Sequence, residues 1–208
     1  MKILIADDHS VVRQGVSLIL REFFTDMKVI QVDTFNSTLD MLNREQFDLL
    51  LLDINLPGGN SVSMINKIRA IQLKVKILVF SAYDEDQYAL RYIQAGADGY
   101  LNKLSSEEKI IEAVSTILNG ELYIGDTIKN MLAQHPDAML YDNPFFLLSN
   151  REMEITLLLV NGEGNLEIAN KLNIRMSTVS TYKSRIFEKL GVSNVVSLAE
   201  KYRLHANN

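Results

Sequence analysis

Cysteine is absent from the 208 residues, and proline occurs only three times. Without thiols the chain has no disulfide, no thiolate metal site and no cysteine nucleophile. No apolar run approaches the ~18 residues of a membrane span. The N-terminus enters its first apolar run at Lys2 and carries acids by Asp7, unlike a secretory signal peptide. These absences predict a soluble, cytoplasmic protein with no membrane partner. A strong basic balance is also missing, since the net charge is −5. Residues 1–144 hold 13 Lys/Arg against 20 Asp/Glu (−7), and residues 145–208 hold 8 against 6 (+2). An acidic first part and a mildly basic second part suggest different partners. An excess of two cations does not by itself establish nucleic-acid binding.

What the chain does have is a regular alternation of short apolar runs and longer amphipathic segments. Strands are expected at 2–7, 28–33, 49–54, 76–81 and 99–103, and helices at 9–22, 36–45, 61–71, 86–95 and 106–119. This order predicts an α/β domain over 1–120: a doubly wound, five-stranded parallel sheet with right-handed crossovers. Ser105 and Glu108 have the spacing of a capping box, and Gly120 supplies a stop. Residues 121–147 read as a linker, punctuated by His135-Pro136 and Asn143-Pro144, with a short helix from Ile128 to Ala133. Residues 148–208 lack strand-like alternation and predict a second, smaller all-α domain.

Five polar residues close, or lie just beside, the ends of the apolar strands: Asp7, Asp8, Asp53, Ser81 and Lys103. Parallel sheets bind ligands beyond their carboxyl ends, so the five converge on one pocket. Clustered carboxylates repel, and a hard divalent cation relieves that repulsion. Asp8 and Asp53 are the expected direct ligands of Mg²⁺, joined by the backbone carbonyl of Asn55, with Asp7 acting directly or through water. A lysine and a hydroxyl opposite the metal suit an anion at the same point. Together these groups describe phosphoryl transfer to an aspartyl nucleophile. The bland readings are helix capping for Asp8, His9 or Ser10 and plain solvation for Lys103. His9 is expected to cap or face solvent.

Residues 1–120 resemble the receiver domain of bacterial two-component response regulators, with a flavodoxin-like sheet. The resemblance rests on Asp7-Asp8, on Asp53 within Leu-Leu-Asp-Ile-Asn-Leu-Pro, on Ser81-Ala82, and on Ala95 through Lys103. It implies that Asp53 accepts phosphate from a sensor histidine kinase, that Ser81 reads the phosphoryl group and that Lys103 pairs with it. Tyr100 matches the aromatic switch position coupled to Ser81; a half-buried strand aromatic is the alternative. Gly58-Gly59-Asn60-Ser61 and Leu104 depart from the family pattern and touch no proposed catalytic atom. Tyr83 lies two residues beyond Ser81 and Asn55 two beyond Asp53, positions that resemble those flanking water's approach to the acyl phosphate. A bulky phenol there predicts a comparatively long-lived phospho-form.

In the last domain, Ser149 and Glu152 form a second capping box. A helix follows from about Asn165, then the turn Asn173-Ile174-Arg175-Met176, then a helix that Ser177 is expected to cap. Val179, Ile186 and Leu190 predict its buried stripe. Two short helices joined by a tight turn match helix-turn-helix geometry. Ser180, Thr181, Lys183, Ser184 and Arg185 would face DNA, with Lys189 added as a phosphate contact. A four-helix protein-interaction module has the same periodicity. Residues 148–204 resemble the LuxR-type DNA-binding domain through Leu-Ser-Asn-Arg-Glu, Glu-Ile-Ala-Asn-Lys-Leu-Asn-Ile, Ser-Thr-Val-Ser-Thr-Tyr-Lys-Ser-Arg-Ile and Lys-Leu-Gly-Val. Ser180 and Tyr182 replace the lysine and histidine common in that family, so base preference does not transfer. Together the likenesses imply a response regulator of the NarL/FixJ class. They also imply double-stranded DNA, a homodimer when phosphorylated and RNA polymerase as partners. The alternatives are a small-molecule phosphatase using Asp53 and a receiver indifferent to phosphorylation.

Overall fold

The apolar runs become five strands, β1 (Lys2–Ala6), β2 (Lys28–Val32), β3 (Leu49–Leu52), β4 (Lys76–Ser81) and β5 (Gly99–Asn102). The computed structural model describes residues 1–59, 61–134 and 143–206. It divides into two units, 1–139 and 140–208. In the first unit all four strand pairs are parallel, in the order β2-β1-β3-β4-β5. β3 is buried at every residue because helices cover both faces, as an uninterrupted leucine run requires. β2 is an edge strand, with Lys28 exposed and its other residues half-buried.

Five helices alternate with the strands: α1 (Ser10–Phe23), α2 (Phe35–Arg44), α3 (Ser63–Ile71), α4 (Glu85–Gln94) and α5 (Glu107–Leu118). Alternate strand residues, including Ile3, Ile5, Leu49, Leu51, Leu78 and Phe80, pack in one core with Leu20 of α1 and Val114 and Ile117 of α5. The direction of winding reverses between β1 and β3, and such a reversal opens a crevice beyond the carboxyl ends. Ala6 pairs with Leu52 there, which sets Asp7 beside Asp53.

Two local expectations fail in instructive ways. The cap of α5 is Ser106, with no side-chain capping bond, instead of Ser105. The third helical residue is then Lys109, which cannot return the reciprocal bond of a capping box. The stretch expected as a linker is partly built onto the first unit: α6 (Asp126–Gln134) packs on α4, and Tyr123 bridges to Gly99. Residues 135–142, including His135-Pro136, lie outside the described residues.

The second unit comprises a 3-10 turn (Pro144–Leu147), then α7 (Asn150–Val160), α8 (Asn165–Lys171), α9 (Met176–Leu190) and α10 (Val195–Ala206). The Ser149–Glu152 capping box forms as expected. α9, however, is capped by Arg175, and Ser177 lies inside its first turn. Ile168, Val179, Ile186, Leu190 and Leu198 fill the core. Gly191 ends α9 in the left-handed region at φ 63°, which glycine enters without a Cβ penalty.

Candidate functional site

The ladder continues one step past three strand ends and fixes the backbone of the pocket. Asp7 N–H donates to Val32 O (3.2 Å), Asp53 N–H to Ala6 O (2.8 Å) and Lys103 N–H to Ser81 O (2.8 Å). Asp7 and Asp53 are buried, at 2% and 4% exposure. Lys103 Nζ lies between them, 2.6 Å from Asp7 Oδ2 and 2.8 Å from Asp53 Oδ2. Burial pushes the Asp53 carboxyl above its ordinary value, although Lys103 and the Asn55 N–H oppose the rise. Burial acts to lower the Lys103 pKa, but the two carboxylates outweigh it and hold the ammonium above its ordinary value. The pocket therefore carries one fixed positive charge among acids.

Asp8 and Asn55 are exposed at the rim. Asn55 N–H donates to Asp53 Oδ1 at 3.1 Å. His9 is the exposed N-cap of α1, as expected, and its Nδ1 also sits 2.6 Å from Asp8 Oδ1 and 3.3 Å from Asp7 Oδ1. One ligand atom from each of Asp7, Asp8, His9 and Asp53 falls within 4.8 Å of the others. Asp7 Oδ2, though paired in charge with Lys103, receives no well-directed hydrogen bond. Carboxylate oxygens of Asp7, Asp8 and Asp53 gathered in one cluster fit a hard divalent cation such as Mg²⁺.

Ser81 is fully buried, and its Oγ accepts the Tyr83 N–H at 3.2 Å. Tyr100, also fully buried, donates its hydroxyl to Tyr83 O at 3.1 Å. Burial drives its phenol well above the ordinary value, against a hydrogen bond with Ser81. Ser81 and Tyr100 thus hold the same residue, Ser81 at the Tyr83 N–H and Tyr100 at the Tyr83 carbonyl. Asn102, which the sequence did not single out, braces the same loop: its Nδ2 donates to Tyr83 O at 3.1 Å. Its Oδ1 accepts the Leu104 N–H at 2.8 Å, a donor that proline would lack. The Tyr83 ring stacks on Tyr88 of α4 at 4.6 Å between centroids.

In the second unit, Ser180, Thr181, Ser184 and Arg185 are exposed on α9, and Lys183 is half-buried. Lys183 Nζ sits 5.7 Å from the Phe187 ring centroid. Ser180, Thr181 and Ser184 donate their hydroxyls to the carbonyls of Met176, Ser177 and Ser180, and Ser180 Oγ also accepts from Asn165 Nδ2 at 3.3 Å. A shallow cavity of about 270 Å³ runs along Ser177, Thr178, Thr181, Tyr182 and Arg185.

Lys189 differs from these. Its Nζ lies 2.6 Å from Oε2 of buried Glu152 and also donates to Leu147 O at 3.2 Å. Lys189 therefore has a structural partner in addition to the phosphate contact expected of it. Burial acts to raise the Glu152 pKa, but Lys189 and the Ser149 hydrogen bonds outweigh it and hold the carboxyl below its ordinary value. A depressed carboxyl contributes stability above its unfolded value, near 4.5, and loses it as pH falls through the folded value. Lys189→Ala strands this carboxylate and is expected to cost about 2 kcal/mol of stability, read by denaturant unfolding. That is below the loss for a fully buried pair because Lys189 is 40% exposed.

A parallel sheet with an aspartate–lysine pocket at its switch point, joined to a helix-turn-helix unit, defines a response regulator. The pattern for the response regulator receiver domain matches residues 3–115, and that for bacterial regulatory proteins of the LuxR family matches 147–201. The chain is 37% identical to the oxygen regulatory protein NreC of Staphylococcus carnosus over 210 residues, covering 96% of this chain and 95% of NreC. It is 33% identical to the response regulator GacA of Pseudomonas aeruginosa over 200 residues, covering 96% and 94%. Among solved structures, the RcsB response regulator of Salmonella typhimurium matches with a TM-score of 0.60 at 22% identity, covering 98% of each chain. The response regulator ChrA of a heme-sensing two-component system matches with a TM-score of 0.50 at 30% identity, covering 98% of this chain and 96% of its own. The chain belongs to the two-component response regulators of the NarL/FixJ class, with a receiver domain and a LuxR-type DNA-binding domain. No helix among the described residues is long and apolar enough to cross a membrane.

Proposed function

We propose that Asp53 accepts a phosphoryl group from a sensor histidine kinase and that this charge controls sequence-specific binding of double-stranded DNA, and hence transcription. One observation carries the reading. Lys103 Nζ bridges buried Asp7 and Asp53 at the switch point, and buried Ser81 and Tyr100 both hydrogen-bond to Tyr83. Asp53 is the nucleophile: its carboxylate oxygen bonds to phosphorus as the bond to the kinase's histidine breaks. Lys103 pairs with the phosphoryl oxygens, and Ser81 offers them its hydroxyl. Asp7, Asp8, Asp53 and the Asn55 backbone carbonyl would hold Mg²⁺, which neutralises charge on the transferring group. Tyr100 follows the engagement of Ser81.

DNA contacts are assigned to Ser180, Thr181, Lys183, Ser184 and Arg185 of α9, with Lys189 retained for Glu152. The proposed division is a receiver over 1–120, a connecting segment over 121–147 and a DNA-binding domain over 148–208. The protein is taken to be cytoplasmic, to dimerise on paired half-sites when phosphorylated, and to act on RNA polymerase. Selection of DNA from a random pool by phosphorylated protein tests the reading. It should enrich one motif, and the same selection with Asp53→Ala should not.

Tyr83 sets a further expectation. Its phenol two residues past Ser81 offers no carboxylate or amide to orient an attacking water, so Tyr83→Glu should shorten the life of the phospho-form. Loss of phosphoryl label after removal of the donor measures this, and an unchanged rate would contradict it.

A further inference from the structure

The chain is firmly held where it leaves β5 and α5. Tyr123 N–H donates to Asp98 O (3.1 Å), and Tyr123 O accepts the Tyr100 N–H (2.9 Å). Gly99 permits this approach, because a Cβ there would lie 2.8 Å from Tyr123 O and 2.6 Å from Ile117 Cδ1. Ile124 and Ile128 are buried, and α6 packs on α4. At the start of α6, Gly125 N–H donates to Glu85 Oε1 at 2.5 Å. A Cβ at 125 would meet that same oxygen at 2.9 Å, so a side chain there would push the Glu85 carboxylate aside.

Glu85 is the first residue of α4, so the segment 81–85 touches two places at once. At one end Ser81 Oγ accepts the Tyr83 N–H inside the pocket. In the middle the Tyr83 carbonyl takes hydrogen bonds from Tyr100 and Asn102. At the other end the Glu85 carboxylate caps the helix that leads toward the second unit. A group in the pocket that draws away the Ser81 hydroxyl removes the acceptor of the Tyr83 N–H. The loop must then move, and a charge-assisted hydrogen bond at its far end weakens steeply with distance and angle.

We propose that Glu85 is a positioning residue that latches α6 to the β4–α4 loop, so that the loading of the pocket sets how firmly the connecting segment is held. This rests on the reading of Asp53 as phosphoacceptor. The test is amide hydrogen exchange of full-length protein across 125–134, with and without beryllofluoride and Mg²⁺, with Asp53 occupancy followed by fluorine NMR. Beryllofluoride should speed exchange at the Gly125 amide and the first turn of α6 in the wild-type protein by about tenfold, the loss of one such hydrogen bond. Glu85→Ala should exchange at the fast rate without beryllofluoride and show no further response. Gly125→Ala, which displaces the carboxylate from the other side, should do the same. Glu85→Gln keeps an acceptor and should retain part of the response. An occupied pocket with unchanged α6 exchange, or an undiminished response in both Glu85→Ala and Gly125→Ala, overturns the latch. Failure of beryllofluoride to occupy the pocket counts against the phosphoacceptor reading instead. In that event slow exchange in the wild type and fast exchange in both variants still supports the Glu85–Gly125 tie, and equal exchange overturns it.

Discussion

Asp53→Ala protein incubated with acetyl phosphate and Mg²⁺ should gain no phosphoryl mass, whereas the wild-type chain should gain one group, lost on treatment with hydroxylamine. The difference should exceed about 10³-fold in labelling rate, because the substitution removes the nucleophile itself. Intact-mass measurement reads the outcome. Single-event labelling also separates a switch from a phosphatase, which would turn over a phosphoester and regenerate free Asp53. Labelling of Asp53→Ala at the wild-type rate would move the acceptor elsewhere.

The second large effect belongs to α9. Replacing both Lys183 and Arg185 with alanine removes two cations from each monomer, hence four from a DNA-bound dimer. Each released phosphate contact contributes about 0.9 to the slope of log affinity against log salt. The double variant should therefore show a slope shallower by about 3 to 4 and an affinity lower by about 10²-fold or more at physiological salt. Lys189→Ala is the contrast. It should lose stability through Glu152 while leaving the salt slope almost unchanged. Fluorescence anisotropy over a salt series measures both. A steep slope retained in the double variant would place the DNA on another face.

Much of this architecture was legible because its signals are local. Leucine runs closed by aspartate announce buried parallel strands with polar tips, and the common position of those tips beyond one sheet edge follows from topology. The observed strands end one or two residues before several expected boundaries, because Asp7, Asp53 and Lys103 lie just past the last paired residue. Caps were less legible. Whether Ser105 or Ser106 caps α5, or whether Arg175 precedes Ser177 at α9, turns on one residue's backbone angles. Neighbouring serines offer the same side chain to either choice.

Long-range pairs left no trace in sequence. Lys189 looked like one more cation on a recognition helix, yet its partner Glu152 lies on α7, where it read only as half of a capping box. Nothing local marks Glu85 as the acceptor for Gly125, forty residues away. His9 read as a cap or a surface residue, and it is the exposed N-cap of α1; only its carboxylate contacts, which depend on the turn after β1, were not legible. The connecting segment looked irregular because it lacks strong periodicity, but it is anchored by a bridge to Gly99, two buried isoleucines, the Glu85–Gly125 hydrogen bond and the packing of α6 on α4.

Charge at Asp53 is proposed to change the affinity of α9 for DNA. The most direct test is the dissociation constant of the selected DNA site at fixed salt, measured with and without beryllofluoride for wild-type protein and for Asp53→Ala. Beryllofluoride should tighten wild-type binding by at least about tenfold, a typical coupling of about 1.4 kcal/mol between two sites, and should leave Asp53→Ala unchanged. Equal affinity in the two states of the wild-type protein, with the pocket shown to be occupied, would contradict it.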